Sequence, residues 1–287
     1  MVSRKFKWVS AKAKSELESL RNLQSRMAEY YSGKNSYYED ISFNENIWAD
    51  QTQPIHQEIT NLLAKSTAIL EVGCGKAKVL QAHPELISKY HGVDFAKEMM
   101  NENGIEFVGA KFKHFEDPLV FPIDDDSFDI VFSHFVIEHT VFPHLFLDEC
   151  NRVLKKGGVL IILCPDFLGY NGITSQRVGL SQGSGRDKIK KGKFLDALLT
   201  GYDSKFRLPA FCEKIRKSAV KSPVFMINLE PTCFIDNFQP DVDAVYVTYS
   251  EEMKKHLGET YEWQPLSGQI DEHRKQRRLI YLKGVKK

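Results

Sequence analysis

The sequence of 287 residues lacks long apolar runs, paired-cysteine motifs and an excess of either charge. Its longest clean apolar run, Val159–Cys164, has six residues, whereas about 20 are needed to cross a bilayer. The N-terminus has no apolar core of the signal-peptide type. We therefore expect a cytoplasmic protein without a membrane span.

Cysteine usage and charge exclude further classes. The five cysteines are odd in number and widely spaced, so we expect neither a disulfide framework nor a metal site. Lys and Arg total 39 against 38 Asp and Glu, which excludes a globally basic nucleic-acid binder. Basic charge is nevertheless concentrated locally, with twelve Lys or Arg against four Asp or Glu from Arg177 to Lys221.

Apolar periodicity divides the chain into four predicted parts. Residues 1–65 have the three- and four-residue spacing of helices. Residues 66–165 alternate short apolar runs with helical stretches. Residues 166–235 are glycine-rich at first and then basic and aromatic, which predicts an inserted cap. Residues 236–287 return to strand-like runs that would complete the sheet.

The short apolar runs predict an α/β fold. Several are continuously apolar, as strands buried on both faces are, and helical sequence separates most of them. This pattern is typical of a mostly parallel, Rossmann-like sheet with helices on both faces. The predicted strands are Ala68–Val72, Tyr90–Val93, Ile105–Val108, Phe128–Phe132, Val159–Leu163, Ala244–Thr248 and Leu279–Leu282.

A glycine turn after the first of these strands is the strongest signal. The segment Glu71-Val72-Gly73-Cys74-Gly75 ends a strand in an acid and continues into Gly-x-Gly. Glycines there permit a tight turn and a close approach of ligand to backbone. The next strand ends in Asp94, which can accept hydrogen bonds from both ribose hydroxyls of an adenosine. Lys78 occupies the position of the small residue in the dinucleotide fingerprint, which argues against NAD or FAD.

These segments together resemble the class I S-adenosylmethionine-dependent methyltransferases, closest to the type 11 small-molecule group. EVGCGKA resembles their first motif, GVDFAKEM the ribose motif, and ECNRVLKKGGVLIILCP the segment of the fifth strand. The resemblance covers residues 60–165. It implies a seven-stranded sheet with an antiparallel last strand, S-adenosylmethionine as cofactor and S-adenosylhomocysteine as product. Two departures are Ala77 in place of a third glycine and Glu71 in place of the commoner Asp.

The resemblance implies a role for each matching residue. Glu71 would contact the amino group, Gly73 and Gly75 would border the methionine moiety, and Asp94 would bind the ribose. Phe95 and Met99 would pack on the adenine. Asp117, with Glu116 as the alternative, would accept a hydrogen bond from the adenine amino group. Ser133 and His134 would face the methyl donor.

Candidates for catalysis are His134, His139 and Asp166, with Glu138 placed to orient His139. A base is needed only if the acceptor must lose a proton, and histidine suits proton transfer near neutral pH.

The basic and aromatic insertion suggests a small acidic or aromatic acceptor, methylated on oxygen or nitrogen in a biosynthetic pathway. The aromatic residues near the N-terminus, among them Tyr30, Tyr37 and Trp48, suggest a lid over the cofactor. Two alternatives remain open at this point: an RNA methyltransferase that uses the basic insertion, and a non-catalytic S-adenosylmethionine-binding module.

Overall fold

The structure is a computed structural model that describes residues 7–32, 46–50, 52–115, 120–169, 181, 183–231 and 243–287. The chain forms two compact units. The sheet unit comprises Gln24–Ile137, Leu145–Cys164 and Leu257–Lys287. The helical unit comprises Met1–Leu23, Glu138–His144 and Pro165–His256. The four-part division proposed from the sequence stays a prediction.

The regular elements are numbered in chain order. The strands are β1 Trp8–Ser10, β2 Ile69–Val72, β3 Tyr90–Asp94, β4 Lys111–His114, β5 Phe128–His134, β6 Leu154–Pro165, β7 Met226–Asn228, β8 Tyr261–Trp263 and β9 Leu279–Lys286. The α-helices are α1 Leu17–Ser32, α2 Pro54–Lys65, α3 Lys78–Ala82, α4 Lys97–Glu106, α5 Pro143–Val153, α6 Gly185–Lys190, α7 Phe194–Tyr202, α8 Leu208–Lys221, α9 Ser250–Leu257 and α10 Gly268–Arg277. A π-helical turn, Asp203–Arg207, joins α7 to α8.

The sheet unit is built on a seven-stranded sheet in the order β4-β3-β2-β5-β6-β9-β8. The first five strands pair in parallel, and β8 pairs antiparallel with β9. All four residues of β2 are buried, as expected for a central strand covered on both faces. Ile55, Ile59 and Leu63 of α2 share a core with the sheet. The predicted α/β fold with an antiparallel sheet end is confirmed.

Three strand predictions need correction. Ile105 lies in α4 and the strand comes later, because β4 is an edge strand whose exposed lysines gave no apolar run. Ala244–Thr248 contributes only an isolated bridge between Tyr246 and Ile227 in the helical unit. The outermost antiparallel strand is instead β8, whose three residues are too few to form a run. Strand β6 begins at Leu154, five residues before the predicted start.

The helical unit has a small core of its own. Strands β1 and β7 pair antiparallel, and Trp8 packs with Leu208, Cys212 and Ile215 of α8. The Trp8 and Phe211 rings lie 5.1 Å apart. None of the helices in the described ranges combines the length and the apolar character needed to cross a membrane.

Gly73 allows the chain to turn at the carboxyl end of β2. Its φ of +76° is unfavourable for a residue with a side chain. An added Cβ would lie 2.9 Å from Cβ of Val136 and closer still to both valine methyl carbons. The conformation and the packing therefore both require glycine.

We predict that Gly73→Ala lowers the free energy of unfolding by about 2–4 kcal/mol, because overpacking adds to left-handed strain. Adding Val136→Ala should recover only the part of the lost stability that is due to overpacking. Urea denaturation measures both variants. Gly104→Ala in α4 is the matched control: an added Cβ meets nothing within 4 Å, so this variant should gain stability. Equal stability of Gly73→Ala and wild type would contradict the argument.

Candidate cofactor site and histidine clusters

Backbone hydrogen bonds hold the glycine turn against β3. The N–H of Gly73 donates to the carbonyl of Val93 over 2.8 Å. The N–H of Gly75 donates to Oδ2 of Asp94, also over 2.8 Å. From α4, the side-chain amide of Asn103 donates to the carbonyl of Gly75 over 2.7 Å. Three hydrogen bonds, two to β3 and one from α4, thus fix the turn at the carboxyl ends of two neighbouring parallel strands.

Ala77 closes the turn in a left-handed conformation, with φ 46° and ψ 44°. This is the conformation that glycine adopts without strain. The substitution noted in the sequence therefore keeps the backbone shape that the usual glycine would give.

Two buried carboxyl groups lie at the ends of β2 and β3. Burial raises the pKa of Glu71 to about 8, against the opposing effect of the hydrogen bond that the Tyr90 hydroxyl donates to Glu71 Oε2. Burial also raises the pKa of Asp94, opposed by backbone N–H donors of Ala96, Gly75 and Phe95. Glu71 is therefore largely neutral at pH 7.

The structure places the other predicted cofactor residues as follows. Phe95 is half-buried, with its ring 4.3 Å from that of Phe115. Met99 is half-buried against the core of the sheet unit. The hydroxyl of Ser133, at the end of β5, is buried without a hydrogen-bond partner among the described residues. Glu116 and Asp117 lie outside the described residues.

His134 belongs to a cluster of aromatic rings in the sheet unit. Its Nε2 lies 2.9 Å from Nε2 of His56 on α2, so one ring donates and the other accepts. The Trp48 ring lies 5.0 Å from each imidazole. Burial is the main cause that lowers the pKa of His56 to about 4 and holds that of His134 well below its ordinary value. Both imidazoles are neutral at pH 7, and neither is a strong base.

His139 lies between two buried carboxylates in the helical unit. Its Nε2 is 3.8 Å from Oε1 of Glu138, and its Nδ1 is 3.6 Å from Oδ2 of Asp243. Asp166 lies in the same unit, where its Oδ1 accepts the N–H of Gly169 over 2.7 Å. The carboxylate of Asp166 thus serves a local turn, while His139 has acids on both ring nitrogens.

Sequence reasoning missed several of these contacts. From the sequence, Tyr90 is predicted only as a strand residue, yet its hydroxyl donates a hydrogen bond to Glu71. His56 differs from its helix neighbours only as a polar residue beside the apolar stripe Ile55, Ile59 and Leu63. For Asp243 the sequence carries no signal. Within the described ranges, no group of three metal-ligating side chains is placed to hold an ion.

Comparison with known proteins shows which enzymes the chain is similar to. A family model described as a methyltransferase domain matches residues 70–162. A probable S-adenosylmethionine-dependent methyltransferase of Mycolicibacterium smegmatis is 25% identical over 127 residues, covering 44% of this chain and 49% of that protein. A ubiquinone biosynthesis O-methyltransferase of Maricaulis maris is 32% identical over 100 residues, covering 32% of this chain and 38% of that protein. Residues 70–162 therefore form a methyltransferase domain, similar to those of the class I S-adenosylmethionine-dependent methyltransferases.

The resemblance seen in the motifs is thereby confirmed, and S-adenosylmethionine is the cofactor of this methyltransferase domain. The chain spans less than half the length of these two relatives. The crystal structure of the PH0226 protein from Pyrococcus horikoshii is similar in fold, with a TM-score of 0.50 and 12% identity over 89% of this chain and 100% of that one.

The residues at the strand ends fit this cofactor chemically. Oδ2 of Asp94 accepts the N–H of Gly75 and Oδ1 accepts that of Ala96, whereas the N–H of Phe95 interacts with the carboxylate more weakly. A carboxylate has about four lone-pair positions, so capacity remains for two hydroxyl donors. Glu71 can ionise beside a cation, and the Ser133 hydroxyl lacks a partner that a ligand can supply.

We predict that Glu71 gives the cofactor-free protein a characteristic pH dependence. Between pH 4.5 and about 8 the folded state holds a proton that the unfolded state has released. The free energy of unfolding therefore falls as pH rises through this window, by at most about 1.4 kcal/mol per pH unit. Glu71→Gln removes this contribution while keeping an acceptor for Tyr90.

The measurement is urea denaturation across that pH window. The stability advantage of Glu71→Gln over wild type should grow as pH rises. Glu98→Gln, on the exposed side of α4, is the matched control and should follow the wild-type curve. Parallel curves for Glu71→Gln and wild type would show that Glu71 is already ionised in the folded protein.

Proposed function

We propose that this chain transfers the methyl group of S-adenosylmethionine to an oxygen or nitrogen of a small acceptor. The observation that carries the proposal is the carboxylate of Asp94, which ends β3 and accepts the N–H of Gly75 in the glycine turn. That contact holds beside the glycine backbone a carboxylate that can accept hydrogen bonds from a ribose diol, and a ligand can approach this backbone closely. The cofactor supplies an electrophilic methyl group when bound.

The chain's own residues would bind the cofactor and orient it. Asp94 would hold the ribose, and Glu71 would ionise against the ligand's ammonium group. Ser133 and His134 end β5, which pairs with β2 directly beside Glu71. Methyl transfer from a sulfonium is an in-line displacement, so fixed geometry and exclusion of water supply much of the rate enhancement.

We propose an aromatic or acidic acceptor from a biosynthetic pathway. The relative from Maricaulis maris is named as an O-methyltransferase of ubiquinone biosynthesis, which supports an oxygen acceptor. The basic charge between Arg177 and Lys221 supports an anionic group on it.

His139 is the candidate general base of this proposal. Asp243 faces one ring nitrogen and Glu138 the other. Carboxylates so placed orient an imidazole and stabilise the cation it becomes on taking a proton. His134 is the weaker candidate, because its pKa lies well below its ordinary value, and we assign it to orientation.

The cofactor assignment predicts the effect of changing Asp94. Titration of S-adenosylhomocysteine by calorimetry should show that Asp94→Ala loses about 2–4 kcal/mol, or roughly 30- to 1000-fold in affinity, because two hydrogen bonds to a charged acceptor are lost. Asp94→Asn should lose less, since its amide oxygen still accepts. Glu98→Ala is the control for removing an acid nearby in sequence, and NAD is the control ligand.

Wild-type affinity in Asp94→Ala, or binding of NAD in place of S-adenosylhomocysteine, would contradict the cofactor assignment. Tight cofactor binding without transfer to any phenol, amine or carboxylate in an acceptor panel would instead favour a non-catalytic module.

The base assignment predicts the kinetics of histidine variants. For a hydroxyl acceptor, His139→Asn should lower kcat by about 10²- to 10⁴-fold and remove a limb of the pH–rate profile. Asp243→Asn should lower kcat less and shift that limb. His91→Asn, at the amino end of β3, is the control. Full activity of His139→Asn would transfer the role to another group or show that no base is required.

A further inference from the structure

Helix α7 in the helical unit exposes its apolar face. Six large apolar side chains, each more than half exposed, recur at helical spacing from α7 into the π-helical turn. Leu195 is 80% exposed and Leu198 is 71% exposed. We call this set the α7 stripe; it consists of Phe194, Leu195, Leu198, Leu199, Tyr202 and Phe206.

A buried lysine holds the helix in this orientation. Nζ of Lys188, on α6, donates to Oγ1 of Thr200 over 2.9 Å and pairs with Asp196 over 2.8 Å. Lys188 and Thr200 are buried, and Ala197 is buried beside them. The inward face of α7 is therefore small and polar, while the outward face is large and apolar. This is the reverse of an ordinary surface helix.

The π-helical turn extends the arrangement. Asp203 is buried and pairs with Arg207 over 2.7 Å. Phe206 stays exposed, with Nζ of Lys205 5.7 Å from its ring centre. Exposed large apolar side chains that recur along one helix face mark a site of interaction with another molecule.

Exposed lysines border both ends of the α7 stripe. Lys190, Lys191 and Lys193 precede it, and Lys205 lies at its far end. We call these four the lysine rim. Of the acids nearby, Asp196 pairs with Lys188 and Asp203 pairs with Arg207. Asp187 completes the capping box of α6 with the N-cap Ser184, and its single negative charge stands against the four lysines. The border of the patch is therefore positively charged.

We propose that the α7 stripe and the lysine rim form a docking surface for an anionic phospholipid membrane, on which α7 lies in the plane of the headgroups. Leucine and phenylalanine would enter the acyl boundary and lysines would contact lipid phosphates, as in interfacial amphipathic helices.

Composition favours a lipid surface over other partners. Lysine is depleted in protein–protein interfaces, whereas it adds affinity for anionic lipid. Single-stranded RNA binds through aromatic rings on which bases stack, but three of the six stripe residues are leucines. A convex helix also offers no groove for a peptide.

The test is co-sedimentation of the whole chain, without cofactor, with phosphatidylcholine vesicles that contain or lack phosphatidylglycerol. Wild type should bind only the anionic vesicles, and salt should weaken the binding. Leu195→Ser with Leu198→Ser should reduce binding at least about 10-fold. Lys190→Gln with Lys193→Gln should reduce it about 25-fold, at about 5-fold for each lysine.

The matched control is Ile105→Ser with Val108→Ser, which removes two equally exposed apolar side chains from the sheet unit. This variant should bind vesicles like wild type. Circular dichroism and S-adenosylhomocysteine affinity check that every variant is folded, and vesicle binding is scored independently of methyl transfer.

Three outcomes would overturn the proposal. The first is equal vesicle binding by wild type and the leucine variant, or equal binding to both vesicle types. The second is a dimer in sedimentation that the leucine variant dissociates, which would make a second copy the occupant. The third is salt-sensitive binding of an RNA oligonucleotide that the lysine variant loses, without vesicle binding by wild type.

Discussion

The hydrogen bond from the N–H of Gly75 to the carboxylate of Asp94 connects the ends of two neighbouring strands. It depends on Gly73 turning the chain back after β2 and on the parallel register of β2 and β3. Asn103 of α4 then binds the other side of the same peptide segment. A buried carboxylate and a glycine backbone are thereby held together, and the proposed cofactor chemistry rests on that contact.

The sequence was sufficient to predict those features whose functional residues are neighbours along the chain. The sequence predicts the glycine turn, Glu71 and Asp94, because a strand, a tight turn and an acid follow one another along the chain. Most buried strands are also predicted, because they form continuous apolar runs. The sequence was insufficient where partners are remote. His56 meets His134, and Asp243 meets His139, through contacts that no local pattern encodes. Strand β4 was not predicted, because lysines occupy its exposed positions and interrupt any apolar run.

The two units use buried polar groups in different ways. In the sheet unit, the glutamate–tyrosine pair joins β2 to β3 and the histidine pair joins α2 to the end of β5. Burial keeps both pairs largely uncharged. In the helical unit, Lys188 and Asp203 are buried with opposite charges beside them. Such pairs contribute little net stability, yet they fix which face of α7 points outward. The buried Lys188 thus specifies the orientation of α7 rather than adding net stability.

The lysines of β4 have a consequence for the behaviour of the protein at high concentration. An edge strand presents unpaired backbone groups that invite another chain to extend the sheet. Lys111 and Lys113 project from that edge into solvent, so two copies brought edge to edge would repel one another. At the opposite edge, β8 offers only three residues for pairing. Both borders of the sheet thus resist the strand-by-strand growth that leads to fibrils.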